Sequence, residues 1–325
     1  MSRPLVSVVI PVFNASETLR EAVASVQAQE VDDLEVVVVD DGSTDGTPAL
    51  VEAMASEDGR VRLIRQENAG SPSARANGFR QSRGTFVSTL DGDDLWPEDK
   101  LGKQLDVLRE DPDAVVIGGI KRFHEQDGRR EWLGETMPFP YNDSDSYLRR
   151  LLAAENQEMA IMATFCAKRE HLLEDNYDPA FLTAHDWEAW LRLAAKHRFV
   201  PLESVLYLYR KHLSSVTRRR PRRQTIDSQL SVLRKHLPLH GLSARERDDI
   251  WTTQVARIAR RYMDRREYGG AWYCLRKGAA RPSVFTRPEY IRLVLSNAKR
   301  QAVTAARSLA KRGGGQNPPK KRWQP

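Results

Sequence analysis

The chain has 325 residues, of which 40% are apolar and 29% charged, enough for a sizeable hydrophobic core in a soluble protein. Its two cysteines, Cys166 and Cys274, are too few and too far apart for a disulfide framework or a zinc site. Residues 1–217 hold 24 Lys and Arg against 37 Asp and Glu, a net charge of −13, whereas residues 218–325 hold 27 against 7, a net charge of +20. The sequence therefore divides into an acidic part, residues 1–217, and a basic part, residues 218–325, which we call the basic tail.

Strand and helix patterns alternate over the first hundred residues. Continuous apolar runs predict buried strands at Val6–Val12, Leu34–Val39, Val61–Ile64 and Thr85–Leu90. A helix with the apolar spacing i, i+3, i+4, i+7 follows the first strand, and another lies around Ala74–Gln81. Repeated βα units predict a parallel sheet, with functional groups beyond the carboxyl ends of its strands.

The pattern is less regular in the second half of the chain. The predicted elements are a strand at Ala114–Arg122, a helix at Ser146–Ala154, an amphipathic helix introduced by His185 and Asp186, a strand at Val205–Tyr209, and a helical hairpin of Ile258–Tyr268 and Ala271–Ala279. We predict a catalytic domain over residues 1–217, a basic helical extension over 218–312 and a disordered tail over 313–325.

Asp40 and Asp41 follow the second predicted strand and open a turn-rich loop. Turn chemistry alone explains two aspartates before a glycine, and no ligand is needed. An aspartate at a strand end can also accept the N–H of a nucleobase, and a second acidic cluster nearby favours that interpretation. The glycine-rich motifs of dinucleotide and P-loop sites are absent, so acidic residues would have to hold the ligand.

The second acidic cluster is Asp91-Gly92-Asp93-Asp94, which follows the fourth predicted strand. Three carboxylates in four positions repel one another unless a cation lies among them. Mg²⁺ and Mn²⁺ prefer carboxylate oxygens and share their coordination sphere with phosphates, so the cluster indicates a metal-bound phosphorylated ligand. The metal interpretation applies first to Asp93, because Asp94 could instead begin a helix before Pro97.

Two residues further along the chain have competing interpretations. Asp186 begins an amphipathic helix, where it could serve as the N-cap or as an ionised carboxylate that accepts a proton. His212 follows a predicted strand, and a lone histidine is more often structural than ligating. Because Mn²⁺ tolerates one imidazole among oxygen ligands, His212 is also a candidate metal ligand.

Six segments in this order resemble the motifs of family 2 glycosyltransferases, which have the GT-A fold. The segments are Val6–Asn14, Val38–Asp45, Asn68–Gly70 with Ala74 and Arg75, Leu90–Asp94, His185–Leu191 and Tyr209–His212. The resemblance covers about residues 5–217 and implies a Rossmann-like, mixed but mostly parallel sheet flanked by helices, with the basic helices as an extension. It also implies an inverting hexosyltransferase that uses a nucleotide-diphosphate sugar, mostly UDP-linked, with Mn²⁺ or Mg²⁺.

The resemblance also implies roles for individual residues. The main chain around Pro11–Phe13 and the side chain of Asp40 would hold uracil, Arg75 would lie near the nucleotide, and Asp91 near the ribose. Asp186 matches the general base. Asp93 matches the metal ligand, and His212 a position that can complete the metal site. The full set of implied nucleotide contacts is Pro11, Val12, Phe13, Asn14, Asp40, Asp41, Arg75, Asp91 and Gly92.

Two departures from the family pattern bear on function. The residue before the base is usually acidic, and here it is His185. The Q-x-x-R-W motif of processive synthases is absent, which favours transfer of one sugar to a hydroxyl of a glycan or lipid-linked acceptor. A catalytically inactive nucleotide-sugar-binding scaffold is an alternative, although the chain keeps both Asp93 and Asp186.

The basic tail has three interpretations. It could be a solvated helical face, a nucleic-acid-binding region, or a surface for anionic lipid, which attracts each nearby Lys or Arg by about 1 kcal/mol. No aromatic platform accompanies Arg218–Arg223, which argues against nucleic acid. We find no N-terminal signal pattern and no apolar run near the ~20 residues that span a bilayer. We therefore expect a cytoplasmic protein, peripheral at the inner face of the cell membrane through residues 218–325.

Overall fold

The structure is a computed structural model, and it divides into two compact units, Met1–Arg220 and Pro221–Pro325. It describes residues 3–126, 129–138, 144–153, 162–174, 177–178, 181, 183–211, 222–279, 281, 285 and 288–313. The predicted boundary at residue 217, the candidate ligand His212 and the predicted tail after residue 313 all lie outside these residues.

The first unit is built on one mixed sheet, which has eight strands within the described residues. The strands are β1 (Val6–Val12), β2 (Leu34–Asp40), β3 (Val61–Arg65), β4 (Phe86–Thr89), β5 (Val115–Gln126), β6 (Arg129–Thr136), β7 (Cys166–Lys168) and β8 (Phe199–Arg210). The helices between them are α1 (Leu19–Gln27), α2 (Thr47–Glu57), α3 (Ser71–Gln81), α4 (Lys100–Glu110), α5 (Ser144–Leu152), α6 (Arg169–Glu174) and α7 (His185–Lys196).

The strand order is β3-β2-β1-β4-β7-β5-β6, and β8 pairs with β5. The pairs β1–β2, β1–β4, β2–β3 and β5–β8 are parallel, whereas β7 and β6 pair antiparallel with their neighbours. The predicted mixed, mostly parallel sheet flanked by helices is therefore confirmed. Because β1, β2 and β4 run in one direction side by side, their carboxyl ends lie together at one edge.

Burial explains why the first strands are nearly pure apolar runs. Every residue of β1 and β2 is buried, since helices cover both faces of this part of the sheet. On α1 the buried residues are the four that the helical spacing predicts, Leu19, Ala22, Val23 and Val26. The core thus fixes the strands rigidly, and the loops at their carboxyl ends are held in place by it.

The second unit is helical in its described part. Its helices are α8 (Arg222–His236), α9 (Ala244–Asp264), α10 (Tyr268–Gly278) and α11 (Pro288–Gly313). Helix α9 begins with a capping box, in which Ser243 accepts from the Glu246 N–H and Glu246 accepts from the Ser243 N–H. Among the described helices of the whole chain, none is both long and apolar enough to cross a membrane.

Candidate active site

The candidate site lies at the shared carboxyl edge of β1, β2 and β4. In the register of the sheet, Val12 at the end of β1 pairs with Asp40 at the end of β2, and the N–H of Asp41 donates to the Val12 carbonyl at 2.9 Å. The loop after β4 carries Asp91 at the same edge. Residues that lie about 80 positions apart in sequence therefore meet in one place.

Asp40 is completely buried, and its two carboxylate oxygens have different surroundings. One oxygen, Oδ1, accepts from the Ser43 N–H at 3.0 Å. The other, Oδ2, has no hydrogen-bond partner within the described residues, and the Arg65 Nε lies 3.5 Å from it in a loose ion pair. A buried acceptor without a partner costs free energy, so Oδ2 suits a ligand N–H such as that of a nucleobase.

Both carboxylate oxygens of Asp41, by contrast, accept hydrogen bonds from other residues of the chain. Its Oδ1 accepts from the Ala69 N–H at 2.9 Å and from Gln66 Nε2 at 2.8 Å, and its Oδ2 accepts from the Gly70 N–H at 2.8 Å. Gly70 has a φ of +88°, which favours glycine and lets the loop turn into α3. Asp41 therefore shapes the loop that leads to Arg75.

The end of β1 is tied to the loop after β2 by Asn14. Its backbone is left-handed, with a φ of +52°. The Asn14 N–H donates to Ser43 Oγ at 2.9 Å, and Asn14 Oδ1 accepts from the Thr44 N–H at 2.8 Å. Pro11 and Val12 are buried, but the ring of Phe13 is 50% exposed. Phe13 thus presents an apolar surface directly after β1, whose last residue, Val12, pairs with Asp40.

Arg75 joins the loop after β4 to α7. It lies on α3, where its Nη2 donates to Asp91 Oδ1 at 2.5 Å and its Nη1 lies 3.7 Å from Asp186 Oδ1. Burial disfavours the charged guanidinium, but the carboxylates of Asp91 and Asp186 outweigh it and raise the pKa of Arg75. One buried cation therefore brings together two predicted site residues that lie 95 positions apart in the sequence.

Gly92 allows the loop after β4 to approach β1 closely. A Cβ at this position would lie 2.7 Å from Val12 Cγ1, which is too close for two carbon atoms that are not bonded to each other. The Gly92 carbonyl accepts from Thr18 Oγ1 at 2.7 Å, which ties the loop to the start of α1. Glycine is thus required for packing, and the residue shapes the site through its backbone.

Asp94 has a role that neither sequence interpretation predicted. It is buried, its Oδ2 accepts from Tyr207 Oη at 2.9 Å, and its Oδ1 accepts from the Arg210 N–H at 2.7 Å. Burial and the neighbouring Asp93 and Asp91 raise the pKa of Asp94 well above its usual value. It does not begin a helix, since α4 starts at Lys100, and it anchors β8 to the loop after β4.

The metal interpretation can be tested on the aspartates of the loop after β4. In the described part of the chain, no group of three or more His, Cys, Asp or Glu residues could hold a metal ion on its own. Asp91 is paired with Arg75, and Asp94 is bonded to β8. Mg²⁺ commonly takes only one or two protein carboxylates together with substrate phosphates and water. The loop after β4 therefore fits a cation that takes one protein carboxylate together with a bound diphosphate.

Asp186 lies in the first turn of α7 and is not its N-cap. The N-cap is Ala184, which has a left-handed φ of +61° and makes no side-chain capping bond. A non-glycine residue in this conformation is strained, and such strain is typical of functional sites. His185 Nε2 lies 3.4 Å from Asp186 Oδ2. The N-cap interpretation is thus wrong, and Asp186 points its carboxylate towards Arg75 and His185.

Three further residues lie at the site. No sequence signal identified Tyr177 or Tyr207 there, whereas Arg210 belongs to the segment Tyr209–His212 that resembles the family but was given no role of its own. Tyr177 hydrogen-bonds to Asp186 and packs its ring against His185, with the ring centroids 5.6 Å apart. Burial raises the pKa of Tyr177, so its hydroxyl stays protonated and donates. Tyr207 Oη accepts from the Asp91 N–H at 3.1 Å, and Arg210 Nε donates to the Asp93 carbonyl at 2.9 Å.

Comparison with known proteins gives one family and consistent relatives. The model of a family described as "Glycosyl transferase family 2" matches residues 7–174. A putative glycosyltransferase of Bacillus subtilis, EpsH, is 28% identical over 235 residues, which cover 67% of this chain and 64% of EpsH. The chain spans 34% and 64% of the length of the first two curated relatives that it matches.

Two solved structures share the fold. S. aureus TarS 1–349 in complex with UDP-GlcNAc superposes with a TM-score of 0.59 at 19% identity, covering 80% of this chain and 72% of TarS. A mannosyltransferase from Pyrobaculum calidifontis, in complex with GDP-Man and Mn²⁺, superposes with a TM-score of 0.53 at 19% identity. That match covers 94% of this chain and 87% of the other. At this level of identity the likeness shows the fold, which is of the GT-A type.

Proposed function

The chain belongs to glycosyl transferase family 2, and from that premise we propose that it is a metal-dependent, inverting glycosyltransferase. It transfers one sugar from a nucleotide-diphosphate sugar, UDP-linked in our proposal, to a hydroxyl of a glycan or lipid-linked acceptor. The observation that carries the proposal is the position of Arg75 between Asp91 and Asp186. A donor-side carboxylate and a candidate base then lie beside the two terminal nitrogens of one largely buried guanidinium.

The nucleotide would lie along the edge formed by β1 and β2. Asp40 Oδ2, which has no hydrogen-bond partner within the described residues, would accept the N–H of uracil, and the exposed ring of Phe13 would offer a surface for the base. The backbone of Pro11, Val12 and Asn14 would contact the nucleotide from the end of β1, and Asp41 and Gly92 would shape the loops beside it. Such a site would favour bases that present a hydrogen-bond donor at the matching position.

Asp93 is the described residue that we propose as a ligand of Mn²⁺ or Mg²⁺, with His212 as a second candidate. A divalent ion there would neutralise the charge that grows on the departing diphosphate. Arg75 would contribute fixed positive charge beside it, since its raised pKa keeps the guanidinium ionised. Arg210 supports the same loop by donating to the Asp93 carbonyl.

Asp186 would act as the general base. As the acceptor oxygen forms its bond to the anomeric carbon, the bond from that carbon to the diphosphate oxygen breaks. The proton of the acceptor hydroxyl passes to the Asp186 carboxylate, and attack on the face opposite the leaving group inverts the anomeric configuration. A positioned base typically contributes ~10²–10⁴-fold to the rate. Tyr177 and His185 would hold the carboxylate in its orientation.

The relatives support a nucleotide-sugar donor. TarS is solved with UDP-GlcNAc and the Pyrobaculum enzyme with GDP-Man and Mn²⁺. We therefore propose a thermal-shift panel of UDP-, GDP- and other nucleotide sugars, each with and without Mn²⁺. A specific ligand raises stability by RT ln(1 + [L]/Kd), so the largest Mn²⁺-dependent shift identifies the donor. A panel with no shift for any nucleotide sugar would contradict the proposal.

The Asp186→Asn variant separates the enzyme from an inactive scaffold. We expect turnover to fall by about 10²–10⁴-fold while the affinity for donor stays within about two-fold, because the substitution removes the base and keeps the shape. The matched control is Asp106→Asn, an exposed carboxylate on α4 whose loss should leave turnover unchanged. Undiminished turnover in Asp186→Asn would show that another group accepts the proton.

A further inference from the structure

One side of helix α11 is fixed to its unit. Tyr290 Oη donates to the Leu275 carbonyl of α10, and Asn297 Nδ2 donates to the Tyr268 carbonyl at 3.4 Å. Tyr290, Leu293 and Asn297 are buried and follow the spacing i, i+3, i+7. This side of the helix therefore belongs to the core of the helical unit, and its orientation is set by packing.

Another side of α11 presents apolar side chains to solvent. Ile291 is 42% exposed and Leu295 65%. Ile291 and Leu295 lie one turn apart, and the exposed Ala298 and Ala302 continue the same stripe. Six of the ten large apolar side chains that are exposed in the described residues belong to the helical unit. Apolar surface that is continuous along a helix marks an interaction site.

Cations border this stripe. Arg292 and Lys299 are exposed and lie about 80° around the helix from its centre line, at the boundary between apolar and polar sides. Residues 288–313 contain six Lys and Arg and one Glu. Long Lys and Arg side chains at such a boundary can keep their charge in a layer of phosphate groups while their stems lie on apolar surface. An apolar stripe with a cationic border is the pattern of helices that lie in the plane of a membrane interface.

We propose that α11 is a membrane-docking helix, which lies in the interface of a bilayer that carries anionic phospholipids. Ile291 and Leu295 enter the boundary between headgroups and acyl chains, and Arg292 and Lys299 contact lipid phosphates. The inference goes beyond sugar transfer. It rests on the proposed function only in the purpose of docking, which is to bring the enzyme to a lipid-linked acceptor.

The test is co-sedimentation of the full chain with vesicles, without nucleotide or acceptor. One set of vesicles is pure phosphatidylcholine and the other contains 30% phosphatidylglycerol, as a chosen composition. We expect tight, salt-sensitive binding to the anionic set and weak binding to the neutral set. No binding of the wild-type chain to anionic vesicles would overturn the proposal.

Two double variants locate the surface. Ile291→Ser with Leu295→Ser should weaken binding to anionic vesicles by about ten-fold or more, since two apolar side chains no longer leave water. Leu239→Ser is the matched control for the apolar change, because Leu239 is 64% exposed, as Leu295 is at 65%, but lies outside α11.

Arg292→Gln with Lys299→Gln should weaken binding by roughly five-fold per charge removed. Arg245→Gln with Arg276→Gln removes two exposed charges from other helices, and it should cost less.

The remaining outcomes are distinguishable. If the α11 variants bind vesicles as well as their controls do, the surface is elsewhere and the proposal fails. If the wild-type chain dimerises without vesicles and Ile291→Ser with Leu295→Ser abolishes the dimer, the stripe binds a second copy and the proposal also fails. Nucleotide binding, measured by calorimetry with UDP and Mn²⁺, should be unchanged in all these variants. Its absence in the wild-type chain would count against the proposed function and not against membrane docking.

Discussion

The loops that follow β2 and β4 use their acidic residues in the same divided way. Each loop has one buried carboxylate whose two oxygens are bonded to the chain, Asp41 after β2 and Asp94 after β4. Beside each anchor is a carboxylate that faces the site: Asp40 at the end of β2, whose Oδ2 has no hydrogen-bond partner within the described residues, and Asp91 after β4, which contacts Arg75. Adjacent aspartates therefore divide into anchors and site residues, and only their hydrogen-bond partners distinguish the two roles.

The comparison also shows how the two loops differ. The donors to Asp41, which are Gln66, Ala69 and Gly70, belong to the segment before α3 and lie 25 to 29 positions away in the sequence. The donors to Asp94, which are Tyr207 and Arg210, belong to β8 and lie 113 and 116 positions away. The first loop is thus braced by a segment beyond α2 and β3, and the second depends on a strand from a much later part of the chain.

The largest effect should come from Asp93, which we assign to the metal. Asp93→Asn removes the carboxylate charge and should weaken the Mn²⁺-dependent affinity for nucleotide diphosphate by about 100-fold or more, because the cation then lacks its anionic protein ligand. The measurement is calorimetry with UDP, with and without Mn²⁺. The comparison is Asp94→Asn. It should lower the melting temperature, and its loss of metal-dependent affinity should be much smaller than that of Asp93→Asn. Equal losses of affinity in the two variants would remove the distinction between site residue and anchor.

Asp41 tests the anchor in the other loop. Asp41→Ala leaves three donors without an acceptor, at Gln66, Ala69 and Gly70. We expect the free energy of unfolding to fall by about 2 kcal/mol, since a buried donor without a partner costs about 1–3 kcal/mol. Urea unfolding measures the change. Asp106→Ala serves as the control, because Asp106 is an exposed carboxylate on α4. A loss for Asp41→Ala no larger than that for Asp106→Ala would show that the loop does not need this anchor.

The sequence predicts the sheet edge well because its signals are local. Buried parallel strands read as unbroken apolar runs, so β1, β2 and β4 and the loops that carry Asp40 and Asp91 follow from the pattern. Long-range pairing leaves no such signal. The contact of Tyr207 with Asp94 spans 113 positions, and the hydroxyl that reaches Asp186 comes from Tyr177 in an irregular segment. Helix α11 lies within the basic helical extension predicted over residues 218–312, but its bounds and its apolar stripe were not predicted.

Tyr177 provides a smaller test, of how the candidate base is held. Tyr177→Phe keeps the ring that packs against His185 and removes the hydroxyl that donates to Asp186. We expect kcat to fall by roughly ten-fold with little change in the donor KM, because the carboxylate loses orientation while the nucleotide contacts remain. Steady-state kinetics with a fixed acceptor give both constants. A rise in donor KM with constant kcat would instead place Tyr177 at the donor.

The smallest effect concerns a buried charge of the opposite sign beside β4. Lys100 is buried, and its Nζ donates to Ser88 Oγ at 2.9 Å and to Gln104 Oε1 at 2.6 Å. Burial lowers the pKa of Lys100 to about 7. Above that pH the folded chain releases a proton that the unfolded chain keeps up to about pH 10.4. Stability should therefore rise with pH through this range, by about 1 kcal/mol between pH 7 and pH 8 from this group alone.

Lys100→Met removes the titrating group and should remove this increment, whereas Lys103→Met, in the same helix but exposed, should keep it. Urea unfolding of the wild-type chain and both variants at pH 7 and pH 8 gives the differences directly, and other titrating groups cancel between variants. Parallel pH dependence in all three proteins would mean that the Lys100 ammonium stays charged inside the fold. Ser88, Gln104 and the Trp96 ring, whose centroid lies 3.9 Å from Nζ, would then compensate the buried charge fully. In that case Lys100 would anchor α4 to β4 through its hydrogen bonds, as Asp41 anchors its loop. The group of anchors would then include a cation as well as aspartates.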